Sequence, residues 1–198
     1  MTNLAVEYNK GHRDIYKKER VAGVIISMSP SPGIYHATVS KNITVILDRY
    51  LKGKPCRVFP DNVDVFLTEK DTFVPDITVV CNPDIIKPKG IYGAPDLVVE
   101  ILSRSTGKRD RTIKKDVYGK CGVKEYWIVD VHLATIEIYL LDGDKLELDS
   151  AYEFIPQAWV EEGLVTAEDK AQAITTFKTS LFDDLIIDLE EVFAEIDF

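Results

Sequence analysis

Two acidic residues sit inside strongly apolar runs, Asp76 in PDITVV and Glu100 in PDLVVEIL. Taken singly, each reads best as a carboxylate on the solvated side of an antiparallel strand, because alternate strand residues face opposite ways. Glu100 differs in being flanked by apolar residues on both sides, as in an interior strand with both faces covered. An ionised group there costs several kcal/mol unless something compensates it, and a divalent cation would do so. Two neighbouring carboxylates also raise each other's pKa. Mg²⁺ relieves that repulsion and keeps open positions for water and a phosphate oxygen. Asp96 lies two alternations before Glu100 and shares its strand face. It is a candidate further ligand, although Pro-Asp at a strand start is commonly a turn, which is the favoured reading. Asp64 in VDVFL is a weaker candidate of the same kind.

Other chemistries have little to be built from. Cys56, Cys81 and Cys121 are widely spaced, odd in number and without a CxxC pair, which argues against a zinc knuckle or a disulfide framework. They are expected as reduced thiols in or near the core. His12, His36 and His132 form no HExxH-like pair, so any metal must be held by oxygen. The N-terminus has no apolar h-region and no segment approaches the length of a membrane span, so a cytoplasmic protein with no membrane partner is expected.

The 198 residues suit a single domain spanning 1–198, with 45% hydrophobic and 29% charged residues, a globular and not a disordered composition. The net charge of −9 is unevenly placed: 181–198 holds seven acidic residues and no Lys or Arg. Against this, 104–124 holds eight Lys and Arg with only Asp110 and Asp116. Beyond a Debye length of roughly 8 Å the acidic tail would not cancel that patch. By charge alone, the patch reads better as a solvated helix face than as a binding surface.

The elements that must position these residues follow from periodicity. Val21 to Met28 reads as a strand closed by SPSPG. From Ile34 to Leu51, Val39, Ile43, Ile46, Leu47 and Tyr50 fall at helical spacing, and Gly53 and Pro55 end the helix. CRVF, VDVFL, DITVV and DLVVEIL read as consecutive strands of one sheet, separated near the end by the turn-rich NPDIIKPKGIYGAP. After Ser103 the loop RSTGKRD leads into a helix through Lys120 with Gly122 as its C-cap. EYWIVD reads as a buried strand, and TIEIYLL with DGDK opens a hairpin continued by KLELDSAYEF. The acidic segment 181–198 reads as a surface helix, tail or oligomer contact. The fold class is α/β (α+β), a mixed sheet with helices packed on it.

Pro75-Asp76 followed by Glu100-Ile101-Leu102 resembles the PD-(D/E)XK nuclease motif, with Leu102 standing where that motif has lysine. The longer run GAPDLVVEILSRSTGKRDRTIKKDVYGKCGVKEYWIVD resembles a large, mostly bacterial family of restriction-endonuclease-like proteins within that superfamily. The family's N-terminal pattern is present as Glu19, Gly23 and Met28-Ser29-Pro30, followed by His36. The resemblance runs from about Glu19 to Leu141, while the C-terminal segment matches only loosely. Two positions depart from the pattern, Val24 for an acidic residue and Arg104 for a proline.

The resemblance implies a restriction endonuclease-like mixed central sheet flanked by helices, with added N-terminal and C-terminal strands. It implies that Asp76 and Glu100 ligate a divalent metal, normally Mg²⁺ with Mn²⁺ able to substitute. The lysine has moved to the following helix as Lys114, four residues before Tyr118 and on the same face. There its ammonium would act on the scissile phosphate of DNA. Glu19 and His36 match as auxiliary residues, His36 orienting water or phosphate or making a structural hydrogen bond. Arg104, Lys108, Arg109, Arg111 and Lys115 are candidates for contact with DNA phosphates. Symmetric duplex cutting points to a homodimer. The competing expectation is a nuclease-like fold kept as a DNA-binding or protein-interaction module with little or no activity, favoured by the missing strand lysine. A third, a structural protein assembling through the acidic tail, leaves the carboxylates unexplained.

Overall fold

The computed structural model describes residues 18–27, 32–103 and 107–198. Helix α1 (Ile34–Leu51) forms where the apolar spacing places it, with Val39, Ile43, Ile46, Leu47 and Leu51 buried. The main sheet contains β3 (Arg57–Pro60), β6 (Ile77–Val80), β9 (Leu97–Ile101), β10 (Glu125–Asp130), β11 (Thr135–Asp142) and β12 (Lys145–Glu153), in the order β12-β11-β10-β9-β6-β3. Among the described residues only β9 and β10 are parallel within it. Such a pair needs a crossover, supplied by helix α2 (107–121), an α turn Gly107–Arg109, a π-helical stretch Asp110–Lys114 and an α segment Lys115–Cys121. Gly122 ends it at φ +92°, where a residue without Cβ carries no strain.

A second sheet holds β1 (Lys18–Val21), β2 (Val24–Ser27), β4 (Val65–Phe66), β5 (Thr72–Phe73), β7 (Ile86–Lys87) and β8 (Gly90–Tyr92), in the order β2-β1-β5-β4-β8-β7. Here the structure differs from two expectations. The run from Val21 is not one strand, because Ala22 (φ +50°) and Gly23 (φ +84°) turn the chain between β1 and β2. The short β-rich runs are also divided between two sheets. Val65 and Phe66 pair with β5 and β8, while Arg57–Pro60 and Ile77–Val80 pair with each other. Strand composition does not specify the partner, which is set by cross-strand packing.

Alternation along the buried strands sorts side chains between two layers. Leu97, Val99 and Ile101, with Trp127 and Val129, pack towards α1. Val98, Tyr126 and Ile128 pack on the opposite face with Tyr118 and Phe73. Glu100 shares the face of Val98 and alternates with Val99 and Ile101, so it points to the α2 side.

The segment 181–198, expected as a surface helix or tail, contains β14 (Ile186–Asp188), paired with β13 (Thr176–Lys178), and only a four-residue helix, α5 (Leu189–Val192). Between β12 and β13 lie α3 (Gln157–Glu161) and α4 (Ala167–Gln172). Leu185, Ile187, Leu189, Val192 and Phe193 are buried in the α1-side core, which is why the near-helical apolar spacing was misleading. Lys41 pairs with Glu195 at 2.5 Å and Arg49 with Glu191 at 2.7 Å. Asn42 Nδ2 donates to the carbonyls of Val192 and Ala194. Glu191 and Glu195 thus face basic residues of α1.

Cys56 and Cys81, expected as reduced thiols, form a disulfide. They follow one step beyond the Arg57↔Val80 pair, a neighbourhood that a sequence separation of 25 conceals. Protein isolated without reductant and titrated with Ellman's reagent in denaturant is expected to show one thiol per chain, Cys121; three would disprove the bridge. Glu125 is fully buried and accepts from Trp127 Nε1 (2.6 Å), Ser180 N (2.8 Å) and Ser180 Oγ (2.5 Å), tying β10 to the C-terminal lobe. Replacing Glu125 by Ala leaves these donors unpaired and is expected to cost about 3 kcal/mol in urea unfolding. A loss within error of zero would remove that tie.

Candidate active site

The β6–β9 ladder pairs Ile77 with Val99. Asp76 precedes Ile77 and Glu100 follows Val99, so the two carboxylates are cross-strand neighbours. Directly opposed Cβ atoms lie about 4.5–5.5 Å apart. Asp76 Oδ2 accepts the Ile101 N–H at 2.7 Å and lies 3.3 Å from Nε2 of His36, in the first turn of α1. The main sheet therefore sets the pair, and α1 adds the imidazole.

Glu100 is 3% exposed. Its Oε1 accepts from Lys114 Nζ at 2.9 Å and from the Tyr118 hydroxyl at 2.8 Å. Lys114 is itself fully buried and has two further carboxylate partners, Glu19 Oε1 at 2.9 Å and Asp110 Oδ1 at 3.4 Å. The Phe73 ring lies below, its centroid 5.7 Å from Nζ. Glu19 comes from β1 on the second sheet and is equally buried; its Oε1 also accepts from Val74 N at 3.2 Å, and Oε2 pairs with Arg109 at 3.2 Å. The π-helical stretch carries Asp110 and Lys114 at its two ends, both buried. Such wide turns recur at functional sites.

The electrostatics follow from this enclosure. Burial pushes the Glu100 pKa well up; Lys114's charge opposes it, while Asp110, Asp76 and Glu19 add to the rise. Burial disfavours the Lys114 cation, but Glu100, Glu19 and Asp110 outweigh it and hold the ammonium charged. Burial, reinforced by Glu100, keeps the Tyr118 hydroxyl protonated and so a donor. Burial alone would lower the His36 pKa; its hydrogen bond to Asp76 and the charges of Asp76 and Asp61 raise it on balance.

The structure thus brings Asp76, Glu100, Lys114, Glu19 and His36 together. It does not bring Asp96 or Asp64. Asp96 accepts from Cys81 N (2.7 Å) and Lys124 Nζ (2.7 Å), a structural tie consistent with the turn reading. Asp64 is exposed beside the second sheet, where its carbonyl accepts the Ile91 N–H. Among the basic candidates, Arg109 is turned to Glu19, Arg111 to Glu137 at 2.6 Å, and Lys115 lies 4.6 Å over the Tyr139 ring. Lys108 is exposed, and Arg104 lies outside the described residues. Asp110 and Tyr118 were not singled out as site residues. Their signal was available: spaced four residues either side of Lys114, they share its helix face.

Asp76 and Glu100 fit a hard cation. Among the described residues Glu100 accepts from Lys114 and Tyr118 through Oε1, and Asp76 meets Ile101 N and His36 through Oδ2, so a cation would take the other oxygen of each. Among the described residues no set of three or more His, Cys, Asp or Glu side chains forms a cluster able to hold a metal. A cation here would rest on two carboxylates with water completing its shell, the habit of Mg²⁺.

Comparison with known proteins bears on this arrangement. Residues 5–168 match the family model Uma2, described as "Putative restriction endonuclease". "Uncharacterized protein slr1290" of Synechocystis sp. (strain ATCC 27184 / PCC 6803 / Kazusa) is 28% identical over 118 residues, 58% of this chain and 62% of that protein. The chain therefore spans less than two thirds of that relative. The crystal structure of "a putative nuclease belonging to DUF820" from Anabaena variabilis ATCC 29413 aligns with a TM-score of 0.61 at 19% identity, covering 95% of this chain and 96% of that one. This likeness is one of fold: the mixed sheet flanked by helices, with its added terminal strands, is restriction endonuclease-like.

Lys114→Met, which keeps the volume and removes the charge, leaves the carboxylates uncompensated and is expected to cost about 3–5 kcal/mol near neutral pH. Glu100's folded pKa is raised, so its contribution to stability is present below the unfolded carboxylate pKa and is lost as pH rises towards the folded value. Without Lys114 that pKa climbs further. The variant's melting temperature should fall more steeply than wild type as pH rises above the ordinary carboxylate range. Parallel curves would show that Lys114 does not carry this balance.

Proposed function

The chain belongs to the Uma2 family, and from that premise we propose that it is a divalent-metal-dependent endonuclease hydrolysing DNA phosphodiester bonds. The observation that carries this reading is the cross-strand pair Asp76 and Glu100, set side by side at the end of two buried strands. They would hold the cation, Mg²⁺ with Mn²⁺ able to replace it. When bound, a divalent cation supplies Lewis-acid polarisation of a phosphate and a more acidic water at neutral pH.

The protein's own groups do the positioning. The Ile101 N–H and His36 orient Asp76 through Oδ2. Lys114 and Tyr118 fix Glu100 through Oε1. The resemblance implies that the Lys114 ammonium acts on the phosphate, whereas here it is enclosed by three carboxylates; its first role is to compensate and orient Glu100. Lys108, exposed on the first turn of α2, can contact backbone phosphate directly, while Arg111 and Lys115 would first exchange Glu137 and Tyr139 for it. On this reading the chain acts as one nuclease domain in the cytoplasm and cuts duplexes as a homodimer. Among the described residues no helix is long and apolar enough to cross a membrane.

A second reading, a nuclease-fold module that binds DNA or protein without cutting, is favoured by Leu102. It stands where the strand lysine would be and is buried in the core beneath α2. Nicking of supercoiled plasmid in Mg²⁺, Mn²⁺ or EDTA separates the two. Divalent-dependent nicking is expected to fall on the order of 100-fold in Asp76→Asn and in Glu100→Gln. The same trace activity in all three proteins, with equal DNA binding, would favour the module.

A further inference from the structure

We infer that Glu19 is a positioning residue that holds Lys114 in place for Glu100. An ammonium has three N–H donors, and Lys114 has three carboxylate partners: Glu19 at 2.9 Å, Glu100 at 2.9 Å and Asp110 at 3.4 Å. Asp110 shares α2 with Lys114, and Glu100 is a proposed cation ligand. Glu19 reaches in from the second sheet, on β1, whose strand partners among the described residues are β2 and β5. It is held there by Val74 N–H on Oε1 and by Arg109 on Oε2. Val74 directly precedes Pro75-Asp76, so one carboxylate joins β1, the approach to Asp76 and the helix that carries Lys114.

This arrangement gives Glu19 a role that Glu100 cannot fill. A cation on the other oxygen of Glu100 would draw on the carboxylate's charge and repel the ammonium, weakening Lys114's hold on Oε1, and an unanchored ammonium in a buried site would rotate away or neutralise. Glu19 keeps one of its donors engaged, and the Asp110 carboxylate, 3.4 Å away, holds a second side of the ammonium by charge. The third donor can then pass between Glu100 and an oxygen of the reacting group without the side chain moving. Glu19 touches neither substrate nor cation in this scheme and acts through Lys114. The scheme rests on the nuclease reading only for its kinetic consequence; the anchoring of Lys114 stands apart from it.

The test reads Lys114 directly. Exposed ammonium protons exchange quickly with water, whereas a buried, fully bonded ammonium exchanges slowly enough to give a ¹H–¹⁵N cross-peak at neutral pH. Wild type is expected to show that peak, assigned through the Lys114 side-chain carbons. Glu19→Gln keeps the shape and an acceptor oxygen but removes the charge. It is expected to broaden or lose the peak and to lower kcat roughly 10- to 100-fold with KM for DNA little changed. An unchanged peak in folded Glu19→Gln overturns the inference whatever the activity, as does an unchanged kcat. If wild type cuts no DNA, the nuclease reading fails and the peak alone decides the anchoring. Should Glu19→Gln not fold, Glu19→Asp retains the charge with a shorter reach; a displaced peak supports the inference, and an unmoved one refutes it.

Discussion

The ammonium of Lys114 lies between Glu19, Glu100 and Asp110, all withdrawn from water. Taking any one of these charges into the interior alone would cost several kcal/mol, and pairing repays it only with close geometry and satisfied hydrogen bonds. The surrounding elements meet that demand. The second sheet delivers Glu19, the main sheet Glu100, and the crossover helix both Asp110 and Lys114, while Tyr118 and Val74 N–H satisfy further acceptor capacity. The two sheets and α2 are therefore joined by ionic contacts as well as apolar packing. The aromatic cluster of Phe73, Tyr118 and Tyr126 that lines this layer keeps the local dielectric low.

Carboxylates outnumber cations at this centre, and that imbalance is what makes it chemically suggestive. Lys114 and Arg109 face Glu19, Glu100 and Asp110, with Asp76 and its His36 partner beside them. Burial and like charges hold Glu100 well above the ordinary carboxylate range. A site that is short of positive charge, with oxygen donors at its edge, suits a small hard cation. Strongly perturbed groups of this kind concentrate where chemistry is done, although structural ion-pair networks perturb them too.

Elsewhere, charge that looked available in the sequence is spent internally. The acidic C-terminal segment is matched by Lys41 and Arg49 on α1, and most of the basic residues of α2 find carboxylates or a ring. Part of the charge at both extremes of the pattern is thus paired within the chain. A DNA surface, if this centre cuts DNA, must be assembled from fewer free cations than 104–124 suggests.

Local periodicity and chemistry made much of this protein legible from sequence. Helix α1, the buried strands around Val99 and Ile128, and the C-cap at Gly122 follow from spacing and from glycine's tolerance of positive φ. Acids embedded in PDITVV and VVEIL singled out Asp76 and Glu100, and the family resemblance brought in Lys114, Glu19 and His36. Tertiary structure alone decided what those residues touch. The disulfide of Cys56 and Cys81, the division of strands between two sheets, and the folding of 181–198 onto α1 depend on long-range register, which strand and helix propensities do not encode. Lys114 shows the difference most clearly: its helix face was readable, but whether its charge met solvent, a phosphate or three carboxylates depended on Glu19, 95 residues earlier in the chain.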